Sequence, residues 1–385
     1  MSELRVFVIA GEESGDQLGA RLIRSLRQRV GSDLKLAGVG GEAMAHEGVA
    51  SLFPQSDISL MGFIAVAKSL TRVLARLRQA TAAVVAFRPH VLVIIDSPDF
   101  TQRVAKKVRA IAPNIRIVNY VSPSVWAWRP GRARKMRDYV DHVLALLPFE
   151  PDVHERLGGP PCTFVGHPLA ARVDELRPNA TEQQRRESKP PLLLVLPGSR
   201  RSEVSRLLPI FGATIEKLVA SIGDVELVLP TVAHVEPLVR EGTRGWKHPP
   251  RIIIAHDEKR AAFRCARAAI AASGTVTLEL ALASVPTVAA YKVAPIEAAI
   301  IRRLIQVPTV ILANLVLDQN VIPEFLQEDC TPEKLALALR DVVADTAVRT
   351  QQLDAFARLD SVMKIGEAAP SDRAAEIVLS LVGRA

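Results

Sequence analysis

Cysteine is scarce here, with three in 385 residues. Cys162, Cys265 and Cys330 stand far apart, and none belongs to a CxxC pair. That pattern excludes a disulfide framework and a zinc site and points to a reducing compartment. Aromatic residues make up only 4% of the chain. With no RRM, KH or zinc-finger pattern beside them, nucleic acid is set aside as a partner. No window of about 18 uninterrupted apolar residues occurs; the richest region, 266–291, is broken by Ser273, Gly274 and Glu279. The opening MSELRVFVIAG carries Glu3 and Arg5 and only a short apolar run, so it reads as a first strand and not as a signal peptide. A soluble or peripherally bound protein is expected. Two glycine signatures are also missing. GEESGDQLG has the wrong spacing for GxGxxG, and GVGG at 38–41 lacks the third glycine, which argues against a nicotinamide enzyme. GxxxxGK[ST] is absent, so there is no P-loop.

What is present is apolar and periodic. Hydrophobic residues are 49% of the sequence, enough for two cores, and the length exceeds one comfortable core. RVFVIAG, VLVIID, IRIVNYVS, HVLALLPFE and CTFVGHPL read as strands alternating with helical patterns. Continuous apolar strands with helical crossovers predict a parallel sheet covered on both faces. RPNATEQQRRESKPP (177–191) is polar, charged and aperiodic, and reads as a linker. PLLLVLPGSRR then restarts the pattern, followed by VELVLP, RIIIAH, AAIAASG and VPTVAAY. The fold class is therefore α/β with two units, 1–176 and 192–365, and a natural ligand cleft between them. The stretch 366–385 is a helix with Pro370 and Ser371 as start signals, placed to pack back on the first unit.

Several turns carry residues with chemistry. IDSPDF sets Asp96 at the carboxyl end of an apolar strand, where open α/β sheets bind ligands. Asp96 suits a general base or a cap of the next helix; Asp99 is the better cap. PGSRRSEV offers Gly198 for a tight turn, Ser199 to start a helix, and Arg200 as a forked cation for phosphate oxygens. It is equally readable as a plain strand-to-helix turn. ASGTVTLELAL repeats the device with Ser273, Gly274 and Thr275, and places Glu279 near a first helical turn, where it suits a ribose diol or the helix dipole. Ser14 and Asp16 in GEESGD suit sugar hydroxyls or a turn. His167 in FVGHPL stands near the domain junction.

The net charge is +8, and the isoelectric point is about 9.6. Part of that charge is concentrated in RPGRARKMR, with Arg129, Arg132, Arg134, Lys135 and Arg137, directly after Ser124, Trp126 and Trp128. Indoles beside cations on a loop suit an amphiphilic anionic partner such as a membrane surface. MGFIAVAKSLTRVLARL (61–77) adds a helix whose apolar face fits a bilayer or the sheet equally well.

GEESGDQLGA, MGF, IDSPDF, YVSPSVWAWR, LLPFE, FVGHPL, LPGSRRSEV, ASGTVTLE and PEFLQE, in this order, resemble the lipid-A-disaccharide synthase family from residue 10 to the C-terminal helix. The resemblance implies the GT-B glycosyltransferase fold, two Rossmann-like domains around a cleft. The N-terminal domain would bind the acceptor and the C-terminal one the UDP-sugar. It further implies an inverting transfer, without metal or cofactor, of 2,3-diacylglucosamine from UDP to 2,3-diacylglucosamine 1-phosphate (lipid X), giving a β-1,6 disaccharide. Asp96 would be the base and Arg200 the cation on the leaving group. Gly198, Ser199, Arg200, Ser273, Gly274, Thr275 and Glu279 would hold UDP. Ser14, Asp16, Met61, Ser124, Trp126, Trp128 and Arg129 would meet acceptor or lipid, with His167 and Asn314 as further cleft candidates. A Gram-negative cytoplasm and the inner face of the inner membrane follow from the same resemblance; a homodimer is left open. Ala65 stands where many members carry glutamate, and Ala313 where they carry proline. The competing readings are a UDP-N-acetylglucosamine 2-epimerase and a non-enzymatic nucleotide- or membrane-binding module.

Overall fold

The computed structural model describes residues 3–58, 70–364 and 368–384. The chain forms two compact units, Met1–Ala171 with Ile365–Ala385, and Arg172–Lys364. In the first, β1 (Leu4–Ala10), β2 (Leu34–Val39), β3 (Val91–Ile95), β4 (Arg116–Tyr120), β5 (His142–Ala145) and β6 (Cys162–Phe164) pair in the order β2-β1-β3-β4-β5-β6. All these pairings are parallel, as the apolar runs predict. VLVII of β3 is buried at every position, because helices cover both faces. Successive residues alternate between those faces. Val91, Val93 and Ile95 join one core with Leu22 and Leu26, while Leu92 and Ile94 join the other with Leu77, Val84 and Val104.

The second unit repeats the plan. β7 (Leu192–Leu196), β8 (Glu226–Pro230), β9 (Arg251–Ile253), β10 (Ala268–Ala272), β11 (Thr287–Tyr291) and β12 (Glu324–Leu326) pair in the order β12-β11-β10-β7-β8-β9, all parallel. In each sheet the winding reverses once: between β1 and β3 in the first, between β7 and β10 in the second. The loops leaving the two strands at such a reversal diverge to opposite faces, which opens a crevice at their carboxyl ends.

One stretch differs from the sequence reading. Residues 177–191 are not a free linker. Asn179 and Glu182 form a reciprocal capping box at the start of the helix Ala180–Glu187. Arg186 on that helix is 5% exposed, and its guanidinium donates to the carbonyls of Arg264, Ser284, Phe263 and Ala283. Those carbonyls close the helices His256–Cys265 and Thr275–Leu282, so a cation there satisfies groups the helices leave unpaired. The polar composition hid a helix whose one buried side chain is an arginine. In the region 61–77, Met61 and Ala65 lie outside the described residues. The described helix Leu70–Phe87 turns Leu77, Ala80 and Val84 into the core beside β1 and β3.

The last helix, Pro370–Leu381, packs on the helix Glu13–Val30 of the first unit. Ala374, Ala375, Val378 and Leu379 enter its core, and Arg29 pairs with Glu376 at 2.9 Å. Burying Val378 and Leu379 contributes roughly 1.5–3 kcal/mol each.

Candidate functional site

At the reversal in the first sheet, the loops after β1 and β3 meet. Gly11 follows β1, and a Cβ there would lie 2.1 Å from Ser97 Oγ, so only glycine permits this approach. Asp96 and Ser97 both adopt left-handed backbone, with φ of 56° and 42°. That conformation costs of order 1–3 kcal/mol per non-glycine residue and is typical of functional turns. It is fixed here by three bonds: Asp96 N to Tyr120 O at 3.4 Å, Thr101 Oγ1 to Asp96 O at 2.7 Å, and Ser97 N to Asp96 Oδ1 at 2.9 Å. The strained turn holds the Asp96 carboxylate half-buried, with its second oxygen accepting from Ser14 Oγ at 3.3 Å. A carboxylate with one fixed oxygen and one facing a hydroxyl is suited to proton abstraction. Gln55, which the sequence did not reveal, donates to the carbonyls of Ala10 and Glu12 and fixes the same loop.

At the reversal in the second sheet a cavity of about 340 Å³ opens. Its wall holds Gly198, Ser199 and Arg200 after β7 and Ser273, Gly274 and Thr275 after β10, with Glu279 on the helix that follows. The structure thus gathers all seven residues expected for UDP into one wall. Gly198 has φ 105°, and a Cβ there would meet Glu203 Oε2 at 2.5 Å. Glu203 was missed in the sequence although it sits in PGSRRSEV. Its Oε2 accepts from Ser199 N and Arg200 N at 3.2 Å each, and its Oε1 accepts from Arg200 Nη1 at 2.9 Å. The amides of Ser199 and Arg200, which lead into the helix Arg201–Ile222, are therefore held by the protein's own carboxylate, which removes these two from the amides expected to lie open to phosphate. Glu279 is the fifth residue of the helix Thr275–Leu282, beyond its first turn. Its carboxylate bonds Lys259 Nζ at 2.7 Å, a partner 20 residues away that no sequence motif marks. Thr231 also lines the cavity, and its Oγ1 is buried with no partner among the described residues. Buried hydroxyls are normally paired, and a polar ligand would pair this one.

The tryptophan loop is bracketed by left-handed backbone at Val121 and Arg129, φ 76° and 54°. Its indoles have separate roles. Trp126 turns inward, edge-on to Phe149 at 5.5 Å, and its Nε1 donates to Glu150 Oε1 at 3.2 Å. This corrects its expected place at a lipid surface. Glu150 is buried and also accepts from Leu146 N and Leu147 N; burial pushes its pKa up to about 7. Trp128 carries Arg129 at 4.2 Å and Arg132 at 5.8 Å from its ring, a cation–π stack. Ser124 and Arg129 are exposed beside it.

Four expected residues serve the fold. Asp16 is 3% exposed and accepts from Gly41 N, Ala43 N and Met44 N, which caps the short helix Glu42–His46. Asn314 is 2% exposed; its amide bonds Val321 N, Ile322 N and Ile322 O, closing a loop. His167 accepts from Leu169 N at 3.1 Å, and burial lowers its pKa to about 4, so it is neutral. Asp99 is no cap: Ser97 holds that position, and Asp99 pairs with Arg132 at 3.0 Å. Among the described residues no cluster of three acidic, histidine or cysteine side chains is arranged to hold a metal, and no helix is long and apolar enough to cross a membrane.

Comparison with known proteins decides the family. A sequence model described as lipid-A-disaccharide synthetase matches residues 6–378. The lipid-A-disaccharide synthase of Rhodopseudomonas palustris (strain HaA2) is 57% identical over 378 residues, spanning 98% of this chain and 96% of that protein. That of Nitrobacter winogradskyi is 58% identical over 375 residues, spanning 97% and 95%. The chain belongs to the lipid-A-disaccharide synthase family. It is a glycosyltransferase of lipid A biosynthesis with the GT-B fold. Members of the synthase family extend to lower identity, such as that of Rhodospirillum centenum at 45% over 384 residues. Among solved structures, UDP-GlcNAc 2-epimerase from Neisseria meningitidis, bound to UDP-GlcNAc, aligns with TM-score 0.64 at 12% identity, covering 98% of this chain and 100% of that one. The glycosyltransferase SnogD from Streptomyces nogalater aligns with TM-score 0.52 at 16% identity, covering 99% and 100%. At such identity the likeness shows the shared fold alone.

Proposed function

We propose that this synthase transfers 2,3-diacylglucosamine from UDP to the 6-hydroxyl of 2,3-diacylglucosamine 1-phosphate. The observation that carries the reading is the convergence of seven motif residues on the cavity at the β7/β10 reversal, in a chain of this family. Asp96 takes the proton of the acceptor hydroxyl, and the freed oxygen attacks C1 of the donor sugar. The bond from C1 to the diphosphate breaks, C1 inverts, and UDP leaves with the electron pair. Arg200, tied to Glu203 by one nitrogen, turns its other donors to the developing negative charge. Glu279 receives the ribose hydroxyls, and Thr231 supplies a further polar contact in the wall. Ser14 steadies the Asp96 carboxylate until it receives the proton.

The Trp128–Arg129–Arg132 stack supports contact with the anionic, acylated acceptor at a membrane surface; in this reading that surface is the cytoplasmic face of the inner membrane of a Gram-negative cell. Trp126 serves that contact indirectly by holding the loop. The test is UDP release from UDP-2,3-diacylglucosamine, measured with and without 2,3-diacylglucosamine 1-phosphate. Release that requires the acceptor and is absent with UDP-N-acetylglucosamine is expected. Epimerisation of UDP-N-acetylglucosamine, or release indifferent to the acceptor, contradicts the reading.

A further inference from the structure

Four charged side chains line the cavity: Arg200, Glu203, Lys259 and Glu279. They form two bonded pairs, Arg200–Glu203 at 2.9 Å and Lys259–Glu279 at 2.7 Å. The wall as it stands is electrically balanced. A nucleoside diphosphate brings at least two negative charges, and Arg200 already commits one nitrogen to Glu203. Glu279, if left alone, would face the incoming diphosphate with like charge. Lys259 removes that repulsion. It lies on the helix His256–Cys265, and its ammonium sits 5.1 Å from the centroid of the Phe263 ring one turn later, which limits where it can swing. Its side chain is 28% exposed and that of Glu279 17%, so the pair is desolvated enough for its charge to matter. An ammonium has three N–H donors, and a single carboxylate oxygen takes one of them.

We propose that Lys259 is a second cation of the nucleotide site, bridging the ribose-holding Glu279 and the diphosphate of the donor. The inference rests on the cavity being the UDP site. Lys259 has two separable effects: it keeps Glu279 oriented, and it gives a charge-assisted hydrogen bond to a phosphate oxygen. Uridine reports the first alone; UDP reports both.

The experiment is titration calorimetry of the whole protein with UDP, and with uridine by competition against UDP, for wild type, Lys259→Met and Lys259→Arg. UDP affinity is expected to fall by about tenfold to hundredfold in Lys259→Met, with uridine affinity changed by less than about threefold. Lys259→Arg, which keeps a charge and a donor, is expected to recover most of the loss. In turnover the methionine variant raises KM for the donor more than it lowers kcat. Equal losses for UDP and uridine would overturn the bridge and leave Lys259 as an orienting group for Glu279. Unchanged UDP affinity in a Lys259→Met protein with the wild-type melting temperature would also overturn it. A wild-type protein that binds neither ligand would overturn the nucleotide reading itself, and so separates that failure from a failure at Lys259.

Discussion

Asp16 and Asp96 are both carboxylates at the carboxyl edge of the first sheet, and the donors each one meets separate their roles. Asp16 accepts three backbone N–H bonds and is 3% exposed, so its lone pairs are committed to the helix Glu42–His46. Asp96 takes one backbone amide and one hydroxyl and sits on strained backbone. Asp16→Ala should therefore act on stability, by about 1–3 kcal/mol, with UDP affinity unchanged; denaturant unfolding and UDP titration check both halves. Both residues stand in glycine- or proline-bearing stretches that the sequence marked equally, although Asp16 lies in the first turn of the helix Glu13–Val30. Three-dimensional donor count, which spacing does not encode, told them apart. The same limit explains Asn314, whose side-chain partners at Val321 and Ile322 turn a candidate ligand contact into a loop closure. Lys259 shows the reverse case, a site residue with no motif, because its position depends on how one helix packs beside the exit of β10.

Among the elements, the loop from Ser122 to Trp128 is held at two points by the helix Glu150–Arg156. Trp126 Nε1 bonds Glu150, and Ser122 Oγ lies 2.9 Å from His154 Nε2. Burial raises the Glu150 pKa from 4.5 to about 7, and lowers that of His154 to about 4, so only Glu150 titrates near neutrality. Because the folded-state pKa is raised, the stability from this group is complete below about pH 4.5 and is lost as pH rises through about 7, on the order of 3 kcal/mol. Ionisation, in turn, gives Trp126 Nε1 a full acceptor. A proton on Oε1 would compete for that indole hydrogen bond. Tryptophan emission should thus change with a midpoint near pH 7, and Trp126→Phe should abolish the change. Emission that is flat from about pH 5 to about pH 9 in the wild type would contradict the linkage. The sequence marked this loop through its tryptophans and arginines. It did not distinguish the indole that anchors on Glu150 from the one that stacks with arginines, since both stand among the same neighbours.

At the scale of the molecule, the two sheets were legible from their apolar runs, and the reversals of winding follow from the strand order. Each reversal carries its own chemistry. The first presents a carboxylate on a strained turn; the second presents a cation and a polar wall. The helical tail was legible from Pro370 and Ser371, and the alanines at 374 and 375 let it lie close on the helix Glu13–Val30. The segment 177–191 was misread because its stabilising contact is a buried arginine, which composition counts as surface.

This division of labour makes the central claim testable with Asp96→Asn, which removes the basic carboxylate while keeping a residue that tolerates left-handed backbone. The measurement is sugar transfer to the phosphorylated acceptor, with UDP affinity taken on the same preparation. The account predicts transfer reduced by about 100- to 10,000-fold, with UDP affinity within about twofold of wild type. Transfer at the wild-type rate would remove Asp96 as the base and with it the assignment of the chemistry to the first unit.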